Sequence, residues 1–330
     1  MNSLPKILIT GVAGLVGSNF AQYLLDKGYI VYGLDDLSGG YQEFIPKKVK
    51  FTKISITDTR RVGMLFKRVQ PNVVYHFAAY AAEGLSPFIR KFNYTNNLIG
   101  SINIINNCIK YNSKLVFTSS MAVYGQGSPP FTEDMLLNPV DPYGISKYAV
   151  EMDLKQAGEQ FGLQYTIVRP HNIIGLNQNI WDKYRNVIGI WIRQVIEGKP
   201  ITIFGDGEQL RAFSDIKFYM EPLERLADLN GDVFNLGADK KYRIMDAALM
   251  VKKVARSFGY EATIEHLPPR HEVKYAYCDH AKAKALLGFK DETDLEQTIS
   301  DMFKWAIHQP PHEVKQMEYE IDKNIYDYWK

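Results

Sequence analysis

A tyrosine, a lysine and a serine near the middle of the chain have the types and the spacing of a proton-transfer site. Tyr143 and Lys147 are four residues apart in DPYGISK, so on a helix they share one face. The Asp-Pro pair just before the tyrosine predicts that a helix begins there, with Asp as its cap and Pro at its first position. Ser120 follows the apolar run 115–118. We expect its hydroxyl at the C-terminal end of a buried strand, where open parallel sheets hold their ligands.

The motif TGVAGLVG supplies a second group of residues with a chemical role. Its glycines are Gly11, Gly14 and Gly17. The first permits a tight turn, the second lets backbone amides approach a pyrophosphate, and the third lets helix and sheet pack closely. The apolar run Lys6–Thr10 precedes the motif and helical spacing follows it over residues 18–27. A pyrophosphate would therefore lie at a helix N-terminus, and the motif predicts a dinucleotide site.

An acidic residue lies about 20 positions beyond the glycine motif, as such sites require. Asp35 follows the apolar run 29–34 and is itself followed by Asp36. A carboxylate at the end of the second strand accepts hydrogen bonds from the adenosine ribose and repels a 2′-phosphate, which favours NAD over NADP. The alternative is that the two aspartates only begin the turn into Ser-Gly-Gly.

Together these groups could make a phenol act as a base. The pKa of a free tyrosine, about 10, must fall by roughly 3 units, or about 4 kcal/mol. An ammonium about 4 Å away contributes about 4 kcal/mol at an effective dielectric constant near 20. Lys147 together with a cationic nicotinamide ring would therefore suffice. Alone, a Tyr–Lys pair is usually surface decoration, so the prediction depends on the glycine motif and on Ser120.

The elements that position these residues alternate along the chain. Short apolar runs, separated mostly by helical patterns, occupy residues 6–10, 29–34, 49–54, 73–77, 115–118 and 165–168. This alternation predicts a doubly wound parallel α/β sheet over residues 1–170. Beyond it we expect a smaller, mixed α/β substrate lobe, mainly residues 171–330, with some segments returning to the first domain. In that lobe 201–204 is predicted as an isolated strand, and the last twenty residues as a loosely packed tail.

Composition narrows the range of partners. The 39 basic and 37 acidic residues leave a net charge of +2, which gives no field to collect nucleic acid or an anionic membrane. The two cysteines, Cys108 and Cys278, have no CxxC or nearby His, which favours core packing and a cytoplasmic protein. His76 and His171 have no companion ligands at usable spacing, so we expect hydrogen bonding and no metal.

Taken together, the motifs resemble the extended short-chain dehydrogenase/reductase family, and within it the NAD-dependent nucleotide-sugar epimerases and dehydratases. The similarity covers nearly the whole chain and is carried by TGVAGLVG, HFAAYAAEG, NNLIG, TSSMAVYG, YGISK and RPHNIIG. It implies a Rossmann domain with NAD as the cofactor. It also implies a 4-epimerase of the UDP-glucose/UDP-galactose or UDP-GlcNAc/UDP-GalNAc type, acting through a transient 4-keto sugar.

The resemblance also implies a role for individual residues. Tyr143, Lys147 and Ser120 are the expected catalytic residues. The expected cofactor-binding residues are Gly11, Gly14, Leu15, Val16, Gly17, Asp35, Asp36, Ser55, Ile56, Ala78, Ala79, Asn97, Ser119, Tyr143, Lys147 and Pro170. The expected substrate-binding residues are Ser120, Asn172, Asn186, Ile201, Phe204, Arg211 and Arg270. The arginines make independent sense, because a planar guanidinium pairs with a diphosphate, although surface salt bridges are the alternative.

Two apolar residues help to choose among the members of the family. Where the dehydratases carry an Asp-Glu pair and the decarboxylases a Glu, this chain has Met121 and Ala122. An apolar pair cannot shuttle the proton that elimination of water needs, which lowers the dehydratase interpretation, and the Cys of 3,5-epimerases is also missing from this segment. Besides the 4-epimerase, a dehydrogenase or reductase of a keto sugar, a dehydratase and a non-catalytic cofactor-sensing scaffold stay open.

Two segments depart from the family pattern. Ser55 replaces an aspartate expected near adenine, and residues 214–219 differ from the family and precede what looks like a short helix. The shape of the loop 179–186 leaves the base and the sugar undetermined. By the resemblance we expect a homodimer formed through helices at 97–110 and 143–161.

Overall fold

Strand–helix units build the first half of the molecule in the computed structural model, which describes residues 4–270 and 272–330. A turn of π-helix, Thr95–Ile99, joins the helices Arg90–Tyr94 and Gly100–Tyr111. In chain order the elements are β1 (Lys6–Thr10), α1 (Leu15–Asp26), β2 (Ile30–Asp35), β3 (Lys50–Lys53), α2 (Thr59–Val69), β4 (Val73–His76), α3 (Arg90–Tyr94), α4 (Gly100–Tyr111), β5 (Lys114–Thr118), α5 (Pro142–Phe161) and β6 (Tyr165–Pro170).

Shorter strands and further helices make up the second half. They are β7 (Ile173–Ile174), α6 (Val187–Ile196), β8 (Ile201–Phe204), β9 (Leu210–Ala212), β10 (Ser214–Asp215), α7 (Met220–Arg225), β11 (Asp232–Leu236), β12 (Lys241–Arg243), α8 (Ile244–Ser257), β13 (Ile264–Leu267), β14 (Tyr275–Ala276), α9 (Ala281–Leu287) and α10 (Leu295–Ala306). The segment at 214–219 pairs with β7 through β10, and the helix after it, α7, has only six residues, as its sequence suggested.

The central sheet has seven strands in the order β3-β2-β1-β4-β5-β6-β11, and every neighbouring pair is parallel. Helices cover both faces: Phe20 and Leu24 of α1 belong to one apolar cluster, and Leu65 of α2 and Ile104 of α4 belong to another. The predicted doubly wound sheet is confirmed. Its direction of winding changes between β1 and β4, and the crevice at such a point is where these sheets bind ligands.

The second half has its own apolar core. Trp191 of α6, Val251 of α8 and Phe303 of α10 are buried together in it. Strand β8 pairs in parallel with β13, so the prediction of an isolated strand is wrong. Its partner is hard to recognise from sequence because β13 is mostly exposed and reads as polar, Ile-Glu-His-Leu.

The C-terminal segment is packed against the rest of the molecule, and the prediction of a loose tail is wrong. Trp329 is only 2% exposed. Its ring lies edge-on to Tyr184, with centroids 5.2 Å apart, and also contacts Phe88. Burial of a large aromatic side chain compensates for the polar composition around it, which is why the composition was misleading.

The predicted start of α5 is confirmed. Asp141 caps the helix by accepting a hydrogen bond from the Gly144 amide at 2.9 Å, and Pro142 is its first residue. One turn of helix thus places Tyr143 and Lys147 on the side facing the sheet, since both are buried.

The cysteines and the histidines singled out in the sequence are buried. Burial raises the pKa of both thiols, Cys108 and Cys278. His76 bonds Thr10 at 2.7 Å and Ser101, while His171 contacts His280. Over the ranges 4–270 and 272–330 no cluster of acidic, His or Cys residues suits a metal ion, and no helix is long and apolar enough to cross a membrane.

Candidate active site

One large cleft runs along the C-terminal ends of the parallel strands and continues into the second half of the chain. It has a volume of about 750 Å³ and is lined at one end by Gly11 and Asp35, in the middle by Tyr143, and at the other end by Arg211 and Arg270. Ligand pockets are commonly about 300 to 1,000 Å³. Most of the residues that the sequence singled out for cofactor and for substrate therefore face one continuous space.

Two glycines of the turn lie against neighbouring backbone, and the third leaves its own backbone accessible from the cleft. Gly11 has a φ of +71°, and a Cβ on it would lie 2.7 Å from the Ala78 amide nitrogen. A Cβ on Gly17 would lie 2.1 Å from the Gly11 carbonyl oxygen, so this helix residue must also be glycine. At Gly14 the nearest atom would be 3.4 Å away. Gly11 and Gly17 are needed for packing, whereas Gly14 leaves the backbone bare toward the cleft.

Asp35 is fixed beside this turn by two backbone amides. Its carboxylate accepts hydrogen bonds from Ala13 at 3.0 Å and from Leu37 at 2.8 Å. Burial raises its pKa from the usual value, while the two amides and nearby Arg185 lower it. Asp35 does begin a turn, as the alternative interpretation held, and it also lines the cleft. A carboxylate has more lone pairs than these two amides use, so it can still accept from a ribose.

Tyr143, Lys147 and Ser120 converge in the middle of the cleft. The side chains of Tyr143 and Lys147 are 7% and 2% exposed. The lysine ammonium donates to the Thr118 carbonyl at 2.8 Å and lies 5.9 Å from the centre of the tyrosine ring. Ser120 accepts from the Ala122 amide at 3.1 Å and hydrogen-bonds the Tyr143 hydroxyl. The strand end, the 3₁₀ turn after it and α5 together set this arrangement.

Burial, more than the neighbouring charges, favours the neutral phenol of Tyr143. Burial raises the pKa of Tyr143, the hydrogen bond from Ser120 lowers it, the carboxylates of Glu83 and Asp141 raise it further, and the Arg185 guanidinium lowers it. Burial also lowers the pKa of Lys147 to about 7. A phenolate here therefore needs more positive charge than Lys147 contributes, in line with the expectation that a lysine and a nicotinamide act together.

Two arginines and an aromatic ring mark the far end of the cleft. The Arg270 guanidinium lies 4.5 Å from the centre of the Phe204 ring. Arg211 and Arg270 both approach Glu272, at 3.5 Å and 3.3 Å. Asn186 caps α6 by accepting from the Ile188 amide. Arg211 also donates to the Lys274 and Val273 carbonyls, at 3.1 and 2.6 Å. A diphosphate could therefore replace Glu272 only at the guanidinium N–H groups that these carbonyls leave free.

Asn172 sits between this end and the catalytic residues. It has a φ of +42°, a left-handed conformation that Asn tolerates better than most residues, and its side chain donates to the Ala212 carbonyl at 3.0 Å. The bond ties the segment between β6 and β7 to β9, the strand that carries Arg211. Asn172 lines the cleft along with Asn186.

Three of the predicted binding residues do not line the cleft. Asn97 is fully buried and bonds both backbone groups of Tyr80, so it shapes the loop after β4, whereas its neighbour Asn96 lines the cleft. The Ser55 hydroxyl turns to Thr57, at 2.9 Å. Ile201 is fully buried in the core of the second half. Their motif positions did not reveal that these side chains turn away from the cleft, and their binding roles stay predictions.

Other residues line the cleft without having been predicted. They are drawn from distant parts of the chain: Tyr80, Glu83, Lys183, Arg185, Gln209, Glu272, Tyr326, Tyr328 and Trp329. Glu83 stands inside the quoted motif HFAAYAAEG and could have been found there as an acidic residue in an apolar segment. The aromatic residues at the C-terminus offer the composition of a binding surface, but nothing local indicates where they dock.

The C-terminal segment closes one wall of the cleft. The Lys183 ammonium donates to the Trp329 carbonyl at 3.3 Å, and Gln194 donates to the Tyr328 hydroxyl at 2.7 Å. Tyr326 and Tyr328 both contact the ring of Phe204. The tail and β8 therefore form one aromatic wall at the end of the cleft opposite the glycine turn.

Comparison with known proteins gives concordant results. The sequence matches the NAD dependent epimerase/dehydratase family over residues 7–237. It is 32% identical over 304 residues to a putative UDP-glucose 4-epimerase of Methanocaldococcus jannaschii, covering 91% of this chain and 97% of that protein.

Two solved structures are similar to this fold. One is the UDP-glucose 4-epimerase of Thermotoga maritima with UDP-glucose, with a TM-score of 0.86 and 29% identity, covering 92% of this chain and 98% of that one. The other is the UDP-glucuronic acid 4-epimerase of Bacillus cereus with UDP-glucuronic acid and NAD, with a TM-score of 0.82 and 27% identity, covering 91% and 98%.

Proposed function

The chain belongs to the NAD dependent epimerase/dehydratase family, and from that premise we propose that it is an NAD-dependent 4-epimerase of a nucleoside-diphosphate sugar, most simply a UDP-hexose. The observation that carries the proposal is that Tyr143 and Ser120 line the same cleft as the glycine turn and the arginine pair. A sugar held at its diphosphate by the arginines would present a ring hydroxyl to the phenol.

The residues at one end of the cleft fit NAD. The open backbone at Gly14 suits the pyrophosphate, and Asp35 suits the adenosine ribose. Thr118 and Ser119 have buried hydroxyls without a partner among the described residues, and both lie where a nicotinamide and its ribose would reach the strand end. When bound there, NAD would supply the acceptor for a hydride from the sugar and the donor for its return.

Tyr143 and Ser120 would handle the proton. Tyr143 removes it from the sugar hydroxyl as the carbon is oxidised, and the same phenol gives it back on reduction. Ser120 hydrogen-bonds the reacting oxygen, and Lys147 is held beside the phenol by its bond to the Thr118 carbonyl, so its positive charge lies there whenever the amine is protonated. Because proton and hydride both return, there is no net oxidation.

Epimerisation further requires that the 4-keto sugar present its other face. The phosphate end must then stay anchored while the hexose turns. Arg211 and Arg270 suit this anchor, and they lie on segments separate from the catalytic helix α5. Met121 and Ala122 line the cleft and offer no proton carrier, which favours epimerisation over elimination of water.

The proposal extends to assembly and location. Ile99, Ile145 and Met152 are 53%, 41% and 56% exposed at the start of α4 and along α5, and a second copy of the chain would cover them in a homodimer. Sedimentation of the native protein and of Met152→Glu tests this, with a monomer expected for the variant. The buried, unpaired cysteines support a reducing compartment, the cytoplasm. The division into a cofactor domain, 1–170, and a substrate lobe, mainly 171–330, is part of the same proposal.

The decisive experiment incubates the purified protein with UDP-glucose and with UDP-GlcNAc and identifies the products by NMR. The proposal expects a mixture of C4 epimers without added cofactor turnover. Continuous production of NADH would instead identify a net dehydrogenase, and a 4-keto-6-deoxy product would identify a dehydratase. With neither an epimer nor a keto sugar, the proposal fails and a non-catalytic role gains support.

A further inference from the structure

A carboxylate projects into the cleft between the phenol and the arginine pair. Glu83 begins the 3₁₀ turn Glu83–Phe88 that follows β4, and its side chain lies open to the cleft although the cleft itself is deep in the protein. On one side it raises the pKa of Tyr143, and on the other it senses the charges of Arg211 and Arg270. A sugar spanning phenol and diphosphate would therefore pass directly by Glu83.

When a ligand binds the two arginines, the charged groups that remain near Glu83 are negative. Four charged groups face it: Asp141 and Glu272 disfavour its ionisation, while Arg211 and Arg270 favour it. Burial in the deep cleft and Asp141 dominate, and they raise the pKa of Glu83 to about 7. A diphosphate would occupy the two guanidiniums, leaving carboxylates as the nearest charges to a sugar ring.

The second carboxylate is fixed in place. Asp141 caps α5 through the Gly144 amide and also accepts from the Ser86 hydroxyl at 3.3 Å. These two bonds hold the Asp141 carboxylate at the start of α5, beside the cleft. Glu83, by contrast, is exposed to the cleft and can reach a ligand.

From this arrangement we infer that Glu83 is a specificity-determining residue, which accepts hydrogen bonds from the hydroxyls of a neutral hexose and excludes sugars that carry a carboxylate. The inference rests on the proposed function. An ionised carboxylate can only accept hydrogen bonds, so it matches a hydroxyl or a hydroxymethyl group. The carboxylate of a uronic acid would meet like charge from Glu83 and Asp141 in a partly desolvated space.

The fold itself does not decide this choice, since the Bacillus cereus neighbour holds UDP-glucuronic acid on a similar backbone. Side chains in the sugar region must decide it. Two like charges a few ångströms apart near a protein surface repel strongly enough to change a binding constant about tenfold or more. The pKa of Glu83 is about 7 with the arginines free, and a diphosphate on them would raise it, so Glu83 gains its charge as the pH rises above neutrality and the exclusion strengthens from about pH 6 to about pH 8 and beyond.

The test measures dissociation constants by calorimetry for UDP-glucose, UDP-glucuronate and UDP, with the NAD-loaded native protein, Glu83→Gln and Glu292→Gln. Glu292 is an exposed surface glutamate, so its substitution makes the same change of charge away from the cleft. The native protein and Glu292→Gln should bind UDP-glucose at least about tenfold more tightly than UDP-glucuronate at pH 8, and less selectively at pH 6. In Glu83→Gln the preference should fall toward one and lose its pH dependence.

Each other outcome overturns the inference. An unchanged preference in Glu83→Gln means that the carboxylate does not select the sugar. If Glu83→Gln binds UDP-glucose as the native protein does but no longer epimerises it, Glu83 transfers a proton and does not determine sugar specificity. If UDP and both UDP-sugars fail to bind the native protein, the proposed function fails and the inference falls with it; if all three bind without preference, only the inference fails.

Discussion

The two ends of the cleft are built in different ways. At the cofactor end, the glycine turn and Asp35 come from consecutive segments within the first 35 residues, and they are held by local backbone contacts such as the Asp35–Ala13 bond. At the substrate end, Glu83, Arg211, Arg270 and Trp329 come from segments up to 246 residues apart. The cofactor end is a local sequence motif, whereas the substrate end is an assembly of segments that are distant in the sequence. A motif fixes chemistry common to a family, and an assembly can vary the substrate without disturbing it.

The largest expected effect is that of replacing Tyr143, which lies between the cofactor end and the substrate end of the cleft. Replacing Tyr143 by Phe removes the proton acceptor but leaves the binding surfaces, so turnover should fall by about 10²- to 10⁴-fold. Affinity for UDP-glucose should change little. The control is Tyr148→Phe, one turn along the same helix and outside the cleft, which should keep full activity. A Tyr143→Phe protein that epimerises at the native rate would show that Tyr143 does not transfer the proton.

Removing the aromatic wall should affect the substrate end alone. Trp329→Ala deletes a side chain that is 2% exposed and packs on Tyr184 and Phe88. Loss of such a buried aromatic side chain costs about 3–5 kcal/mol of packing. Because Trp329 anchors the tail that lines the substrate end, we expect the KM for the nucleotide sugar to rise about tenfold. NAD content of the purified protein should stay unchanged.

Leu286→Ala, an exposed side chain on α9, is the matched control for the tail variant. If Trp329→Ala lost bound NAD as readily as it lost substrate affinity, the two ends would not be separable. The distinction between motif and assembly would then have no functional meaning.

A smaller effect concerns stability and pH. The pKa of Lys147 is lowered by burial to about 7, well below its unfolded value. Between about pH 7 and pH 10 the folded protein therefore binds fewer protons at this site than the unfolded chain, so this group makes stability rise with pH, by up to about 1.4 kcal/mol per pH unit. Below about pH 7 the lysine is charged in both states, and its burial cost stays constant.

Thermal melts of native protein and Lys147→Met over this range measure the contribution. The native melting temperature should rise relative to the variant's by several degrees from about pH 7 to about pH 9.5. Other titrating groups, including Glu83, are common to both proteins and cancel in the difference. Parallel curves would show that Lys147 is not buried as described.

The smallest effect is expected at a departure from the family pattern. Ser55 bonds Thr57 and does not line the cleft, whereas the next residue, Ile56, does. Ser55→Asp should therefore change the affinity for NAD by less than about threefold. A tenfold gain would mean that this position reaches the adenine after all, and would extend the cofactor end by one residue.

The sequence predicted local features well and long-range ones poorly, for a physical reason. The parallel sheet, the start of α5 at Asp141 and the spacing of the glycines depend on periodicity and capping within a few residues. The edge strand β11, the pairing of β8 with β13 and the docking of Trp329 depend on contacts between distant segments.

The candidate site divides along the same line. Residues carried by local motifs, such as Gly14 and Tyr143, face the cleft as expected. Asn97 did not, because a buried asparagine that satisfies the Tyr80 backbone looks the same in sequence as one that binds a ligand. Glu83 was not predicted as a site residue, because its charge matters only beside Asp141 and the arginines, which approach it in the folded protein.

The central claim is that one cleft oxidises a sugar at C4 and returns the same hydrogen to its opposite face. NMR of UDP-glucose carrying deuterium at C4, incubated with the protein in ordinary water, tests it most directly. The account predicts the gluco and galacto epimers, both with deuterium retained at C4. Failure to form the second epimer, or loss of the deuterium to solvent, would contradict it.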